Sequence, residues 1–188
     1  MTTASPTRPL PARAAAALGH RWPTLLGLAW AVVSLADFDG GLEYATVLAV
    51  AAVGYLAVAV LGRPAATWYV LAAVLAVVVA LRVAGIDPWP VLAGGGAALA
   101  LVGLARGSLR RSGLAAWQAP AMVVFVGVSL VALQVDPDIG AFVVAGGLLG
   151  HAAWDVVHRR AGEIVQRSLA EWCAALDLAL AVGILVLR

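Results

Sequence analysis

Three side chains that could do chemistry together lie within eight residues of this 188-residue chain, spaced as H-x3-D-x2-H. On an α-helix, at about 100° per residue, Asp155 lies about 40° from His151, and His158 about 20° from it on the other side. The three side chains therefore share one narrow stripe. Because imidazole and carboxylate are ligands of zinc, iron and manganese, the pattern predicts His151, Asp155 and His158 as ligands of a divalent metal such as zinc.

Helix geometry limits how these residues can share an ion. His151 and His158 are separated by about 10 Å along a helix axis, too far to bind the same metal. A site with one metal would therefore use Asp155 with either His151 or His158, and a site with two metals would use Asp155 as the bridge. The missing ligands would come from the next apolar segment, as Glu171 or Asp177.

Asp177 lies near the middle of that apolar segment, and Glu171 lies near its beginning. A charged group at the centre of a membrane helix costs about 2.5 to 3.5 kcal/mol on insertion scales, so such residues usually have a function. Asp177 and Glu171 are about 120° apart around a helix and cannot both face one partner. Comparing depths in antiparallel helices places His151 near the level of Cys173, with Asp177 a turn deeper. We predict Asp177 and Glu171 as acid and base groups of a site that opens toward the cytoplasm.

The composition excludes a water-soluble globule, since 63% of the residues are hydrophobic, 12% are charged and the mean hydropathy is +0.99. A single cysteine, Cys173, excludes an intramolecular disulfide and a cysteine-rich zinc site. All 12 basic residues are arginine, which excludes Schiff-base lysine chemistry and a P-loop lysine.

The apolar residues predict an all-α bundle of seven transmembrane helices with very short loops. A spanning helix needs about 17 to 25 apolar residues, and seven segments meet or approach that length. They cover residues 23–38, 44–62, 67–86, 89–105, 114–133, 139–158 and 169–187. We expect residues 1–22 to form a cytoplasmic leader and residues 23–188 to form one transmembrane domain.

Arginine placement predicts the orientation, because basic residues stay on the cytoplasmic side. With seven crossings, one side receives most of the arginines: Arg8, Arg13, Arg21, Arg63, Arg106, Arg110, Arg111, Arg159, Arg160 and Arg167. The other side receives Asp37, Asp39, Glu43, Asp87, Asp136 and Asp138. The expected arrangement is a multi-pass protein of the inner (plasma) membrane, with a cytoplasmic N-terminus and a C-terminus outside. The small residues Ser34 and Ala36 leave open that the first segment is a cleaved signal.

Three functions fit these features. The first is an enzyme that acts on a lipid or hydrophobic small molecule through the His, Asp and Glu residues of the last two segments. The second is a small proton-coupled transporter, because buried acidic and histidine side chains also mark proton pathways. The third is a structural membrane subunit without catalysis. The expected partner is the lipid bilayer rather than nucleic acid, because the arginines are distributed by membrane side, and the oligomeric state stays open.

Overall fold

The computed structural model describes residues 19–111 and 113–188. In these two ranges the chain forms seven α-helices and no strand, which confirms the all-α prediction. The helices are α1 (Trp22–Ala36), α2 (Ala45–Leu61), α3 (Thr67–Val83), α4 (Trp89–Ala105), α5 (Leu114–Ala132), α6 (Pro137–Ala161) and α7 (Arg167–Leu187). Residues 1–18 of the expected leader lie outside the described ranges.

Five of the described helices are long and apolar enough to cross a membrane. Counted with any preceding 3-10 turn, they are Leu42–Leu61, Pro64–Val83, Leu114–Ala132, Pro137–Ala161 and Arg167–Leu187. The two shorter apolar helices are Trp22–Ala36 with 15 residues and Trp89–Ala105 with 17. By length and composition these helices are compatible with a membrane protein.

Helix α2 forms the centre of the bundle. It consists mainly of alanine and valine, and 78% of its most apolar stretch is buried. It packs against α3, α4 and α5 and touches α6. Small side chains allow neighbouring helices to come close on every side of α2. A polar side chain in the buried part of α2 therefore lies against a neighbouring helix.

Helix α7 lies between α1 and α6, and its contact with α1 depends on glycine. A Cβ atom added to Gly27 would lie 2.5 Å from the backbone oxygen of Trp172, and one added to Gly183 would lie 2.5 Å from Leu35. At Gly27 the two helix backbones therefore approach too closely for a larger residue, whereas at Gly183 the Leu35 side chain occupies the space. Helix α1 is an integral part of the packed bundle.

The basic and acidic loops lie at opposite ends of the bundle. At the end that we call the basic end, Glu171 forms ion pairs with Arg21 at 3.5 Å and with Arg159 at 2.9 Å. At the other end, Arg188 forms an ion pair with Asp138 at 2.5 Å. The two ion pairs of Glu171 bring the start of α1, the end of α6 and the start of α7 together. This arrangement is expected when successive helices run in opposite directions.

Candidate metal centre

Three side chains converge in the core between α6 and α7. His151 Nδ1 lies 2.7 Å from Asp177 Oδ2 and 3.3 Å from Asp155 Oδ2. The potential ligand atoms of the three residues all lie within 4.8 Å of one another. His151 and Asp155 are 0% exposed, and Asp177 is 1% exposed. We call this group the His-Asp-Asp cluster.

The hairpin formed by α6 and α7 explains why these residues meet. His151 lies ten residues before the last residue of α6, and Asp177 lies ten residues after the first residue of α7. Both are therefore about 15 Å from the connection and at the same level. Asp155 lies one turn after His151, on the same face of α6. The connection itself begins at Gly162, whose φ of 65° ends α6 in a left-handed conformation.

The structure corrects the predicted depths and the predicted opening. Helix α6 ends at Ala161 and α7 begins at Arg167, so His151 and Asp177 are equally far from the connection between the two helices. His151 therefore pairs with Asp177, rather than lying level with Cys173. The three side chains are almost completely buried, in contrast to the expected opening toward the cytoplasm.

Tyr55 of α2 joins the cluster from the centre of the bundle, and the sequence argument missed it. Its hydroxyl donates a hydrogen bond to Asp155 Oδ1. The rings of Tyr55 and Phe125 also pack edge-on against His151, with centroids 5.4 and 4.9 Å away. The available signal was a phenol hydroxyl in the middle of an otherwise apolar helix, because such a group usually finds a partner when buried.

Two atoms of the cluster have no hydrogen-bond partner among the described residues. These atoms are His151 Nε2 and Asp155 Oδ2. His151 Nδ1 is hydrogen-bonded to Asp177 Oδ2 at 2.7 Å and lies 3.3 Å from Asp155 Oδ2, so the Asp155 oxygen is left without a hydrogen bond. One imidazole carries at most one positive charge, whereas two carboxylates can carry two negative ones. Buried polar atoms normally have partners, so these two atoms leave a place in the cluster for a further partner.

A divalent metal fits this set of donors. Zinc ligands lie about 2.0 to 2.2 Å from the ion, so neighbouring ligands of a tetrahedral site lie about 3.3 Å apart. The distances of 2.7 and 3.3 Å from His151 Nδ1 to the two carboxylates need only a small opening to reach this value. One nitrogen and two oxygens would leave a fourth position open, as catalytic zinc sites do.

The structure places His158, which the sequence predicted as a metal ligand, outside the cluster. Its Nδ1 lies 3.0 Å from the backbone oxygen of Trp154, and its Nε2 lies 2.9 Å from Gln118 Nε2. Since a carbonyl only accepts, Nδ1 carries the hydrogen and Nε2 accepts one from the amide. Both ring nitrogens are used by the protein, and no lone pair is left for a metal.

Glu171 also lies apart from the cluster, at the basic end. It accepts hydrogen bonds from Thr24 Oγ1 at 2.6 Å, Arg159 Nε at 2.9 Å and Arg21 Nη1 at 3.5 Å. These contacts attach α1 and α6 to the start of α7. They indicate a structural ion-pair network and give no support to the predicted acid-base role.

A small cavity of about 60 Å³ adjoins Asp177 on the side facing α2 and α3. Its lining includes Cys173, Leu71, Trp30 and Trp172. A water molecule needs about 10 to 15 Å³ of such space, so the cavity can hold a few waters but no lipid. Apart from Asp177 its walls are almost entirely apolar, so a water there would have few hydrogen-bond partners.

Replacing Tyr55 with phenylalanine is expected to destabilise the fold by about 1 to 3 kcal/mol, because Asp155 Oδ1 loses its donor in a buried site. Unfolding in detergent would measure the loss. The matched control is Tyr69→Phe, because Tyr69 is 80% exposed and its substitution should change little. Equal effects of the two substitutions would contradict the role assigned to Tyr55.

Comparison of the chain with protein-family models, with curated proteins and with solved structures finds no significant match. A function for this chain therefore has to be argued from the His-Asp-Asp cluster and the bundle around it.

Proposed function

We propose that this chain is an integral membrane metalloprotein in which His151, Asp155 and Asp177 bind one divalent transition metal, with zinc as the first candidate. The observation that carries the proposal is the convergence of three buried ligand atoms within 4.8 Å, with one carboxylate oxygen unsatisfied. A divalent ion there would neutralise both carboxylates and occupy that oxygen. Asp177 is then a metal ligand rather than an acid catalyst.

The membrane placement is supported by the five long apolar helices and by the separation of the basic and acidic loops. The excess of arginine favours the basic end as the cytoplasmic one. We assign the protein to the plasma membrane, with the N-terminus inside, the C-terminus outside and all seven described helices crossing. The cluster would then lie about 15 Å from the end of its hairpin, near the middle of a hydrocarbon core about 30 Å thick.

The activity that best fits this metal site is hydrolysis of a lipid or other hydrophobic small molecule. A metal with an open position supplies an activated water. The cavity beside Asp177 has the volume for that water. Tyr55 would orient the Asp155 carboxylate through its hydrogen bond, so the protein itself would hold this metal ligand in place. The packed bundle would keep bulk water away from the site.

Metal content of the detergent-purified protein tests the proposal. After loading with zinc and removal of excess ion, elemental mass spectrometry should find about one zinc per wild-type chain. Asp177→Asn should bind zinc at least 100-fold more weakly, since loss of a supporting residue alone typically costs about 10- to 100-fold. His158→Gln is the matched control and should keep its zinc, because His158 has both nitrogens occupied.

Folding of each variant is checked by circular dichroism before its metal is counted. A folded wild type without metal would overturn the proposal, and so would a folded Asp177→Asn variant that keeps its zinc at wild-type affinity. Asp177→Asn also tests the proposed activity, because metal-dependent hydrolysis should be lost when the zinc is lost.

Complete burial of the cluster favours one second candidate, a proton-coupled transporter. His151 lies between two carboxylates, an arrangement that can accept and pass a proton without admitting a larger substrate. This candidate predicts proton-dependent flux in wild-type proteoliposomes that Asp177→Asn abolishes, with no bound metal in either protein.

A further inference from the structure

A long apolar groove follows the outside of α7 and ends in a polar pocket. The groove has a volume of about 750 Å³, and its walls include Leu28 and Leu35 of α1 and Leu178 and Val182 of α7. Its polar end is formed by Arg159 and Glu171, among others. The groove is open along its length, with Leu178 51% and Val182 49% exposed. Its position beside α7 is separate from the His-Asp-Asp cluster.

A second cavity of about 400 Å³ continues the groove at the basic end. It shares Arg159 and Glu171 with the groove and adds Arg160, Arg167 and Ser168. We call this cavity the arginine pocket. An apolar channel and a basic pocket thus meet at two common residues.

The arginine pocket carries an excess of positive charge. Glu171 is paired with Arg159 and Arg21, so its charge is already compensated. Arg160 and Arg167 have neither an ion pair nor a side-chain hydrogen bond within residues 19–111 and 113–188. The guanidinium fork matches the geometry of phosphate oxygens, which it can bind through two parallel hydrogen bonds.

We propose that this surface is a binding site for an anionic phospholipid, with the phosphate against Arg160 and Arg167 and an acyl chain in the groove beside α7. The lipid-site proposal rests on the membrane placement within the proposed function and does not depend on metal binding. The charge of the arginine pocket complements a phosphodiester, and the wall of the groove complements a hydrocarbon chain. The basic end would lie at the level of the headgroups, where arginine interacts with anionic lipid.

Native mass spectrometry of the detergent-purified full chain tests this proposal, with phosphatidylglycerol and phosphatidylcholine added in turn. Phosphatidylglycerol should form a discrete adduct of one lipid per chain, and phosphatidylcholine a much weaker one. The double variant Arg160→Gln/Arg167→Gln should bind phosphatidylglycerol about 30-fold more weakly, since each arginine near a headgroup contributes about 1 kcal/mol.

The matched control is Arg106→Gln/Arg110→Gln, because this pair removes the same charge from two exposed arginines of the α4–α5 connection. It should leave the adduct unchanged. Soluble glycerol phosphate tests the groove: it should not displace the lipid, because it lacks an acyl chain.

Several results would overturn the lipid site. They are equal binding of both lipids, equal loss in the two double variants, displacement by glycerol phosphate alone, or a dimer mass in place of lipid adducts. Zinc is counted in the same preparations. A wild type that binds zinc without lipid selectivity overturns only this inference, and one that selects phosphatidylglycerol without zinc overturns only the metal function.

Discussion

Substituting His151 with alanine is expected to lower the free energy of unfolding of the metal-free protein by about 3 to 5 kcal/mol, the usual cost of breaking a buried ion pair. The imidazole lies between two carboxylates that are 0% and 1% exposed. Without it, Asp155 and Asp177 face each other with no positive group between them. The substitution also leaves a cavity in a closely packed core. Unfolding is measured with a chelator present, so that metal loss does not contribute.

A second variant keeps this prediction testable if His151→Ala fails to fold. Adding Asp177→Asn to His151→Ala should recover part of the lost stability, because one of the two opposed carboxylates becomes neutral. Ser129→Ala is the control for removing a buried polar side chain, since Ser129 bonds only to the backbone oxygen of Phe125 in its own helix. A loss of unfolding free energy below about 1 kcal/mol for His151→Ala is typical of an ordinary point mutation. Such a result would contradict the ion pairs assigned to His151.

The second large effect is expected at Gly27, where alanine should destabilise the bundle by about 1 to 3 kcal/mol, as overpacked cores do. The new Cβ atom would lie 2.5 Å from the backbone oxygen of Trp172 and 3.2 Å from the backbone nitrogen of Leu176. Backbone atoms of a helix cannot move aside alone, so α1 has to shift as a whole. Thermal unfolding in detergent measures the effect, and Gly27→Leu should enlarge it.

Gly95→Ala is the matched control for this substitution. It also places a methyl group on a glycine inside an apolar helix, but nothing lies within 4 Å of the added atom. Alanine has the higher helix propensity, so this variant should unfold at the same temperature as the wild type or higher. A similar loss at both glycines would show that helix packing is not what Gly27 provides.

The helices and the core of the cluster could be predicted from the sequence, because each depends on local spacing. Apolar length defined the helices, and the four-residue step defined the pair of His151 and Asp155. Asp177 stood out as a carboxylate in the middle of an apolar segment. These features need no knowledge of how distant helices pack.

Tertiary contacts decide the surroundings that the sequence could not predict. His158 lies on the predicted stripe, but Gln118 of α5 occupies its second nitrogen. Glu171 lies on the predicted helix, but arginines of α1 and α6 bind it at the basic end. Tyr55 reaches Asp155 across one hundred residues of sequence. No local period encodes which faces of separate helices meet, so these partners required the folded bundle.

The even spacing of His151 and Asp177 on either side of the α6–α7 connection has a consequence for how the protein enters the membrane. Only five residues separate the two helices, so α6 and α7 can insert as a pair before the other helices are in place. Within that pair, the imidazole already faces a carboxylate of the neighbouring helix. In the proposed membrane placement, the hairpin would therefore enter the lipid with its ionisable groups already facing one another, and neither helix would have to cross with those groups alone.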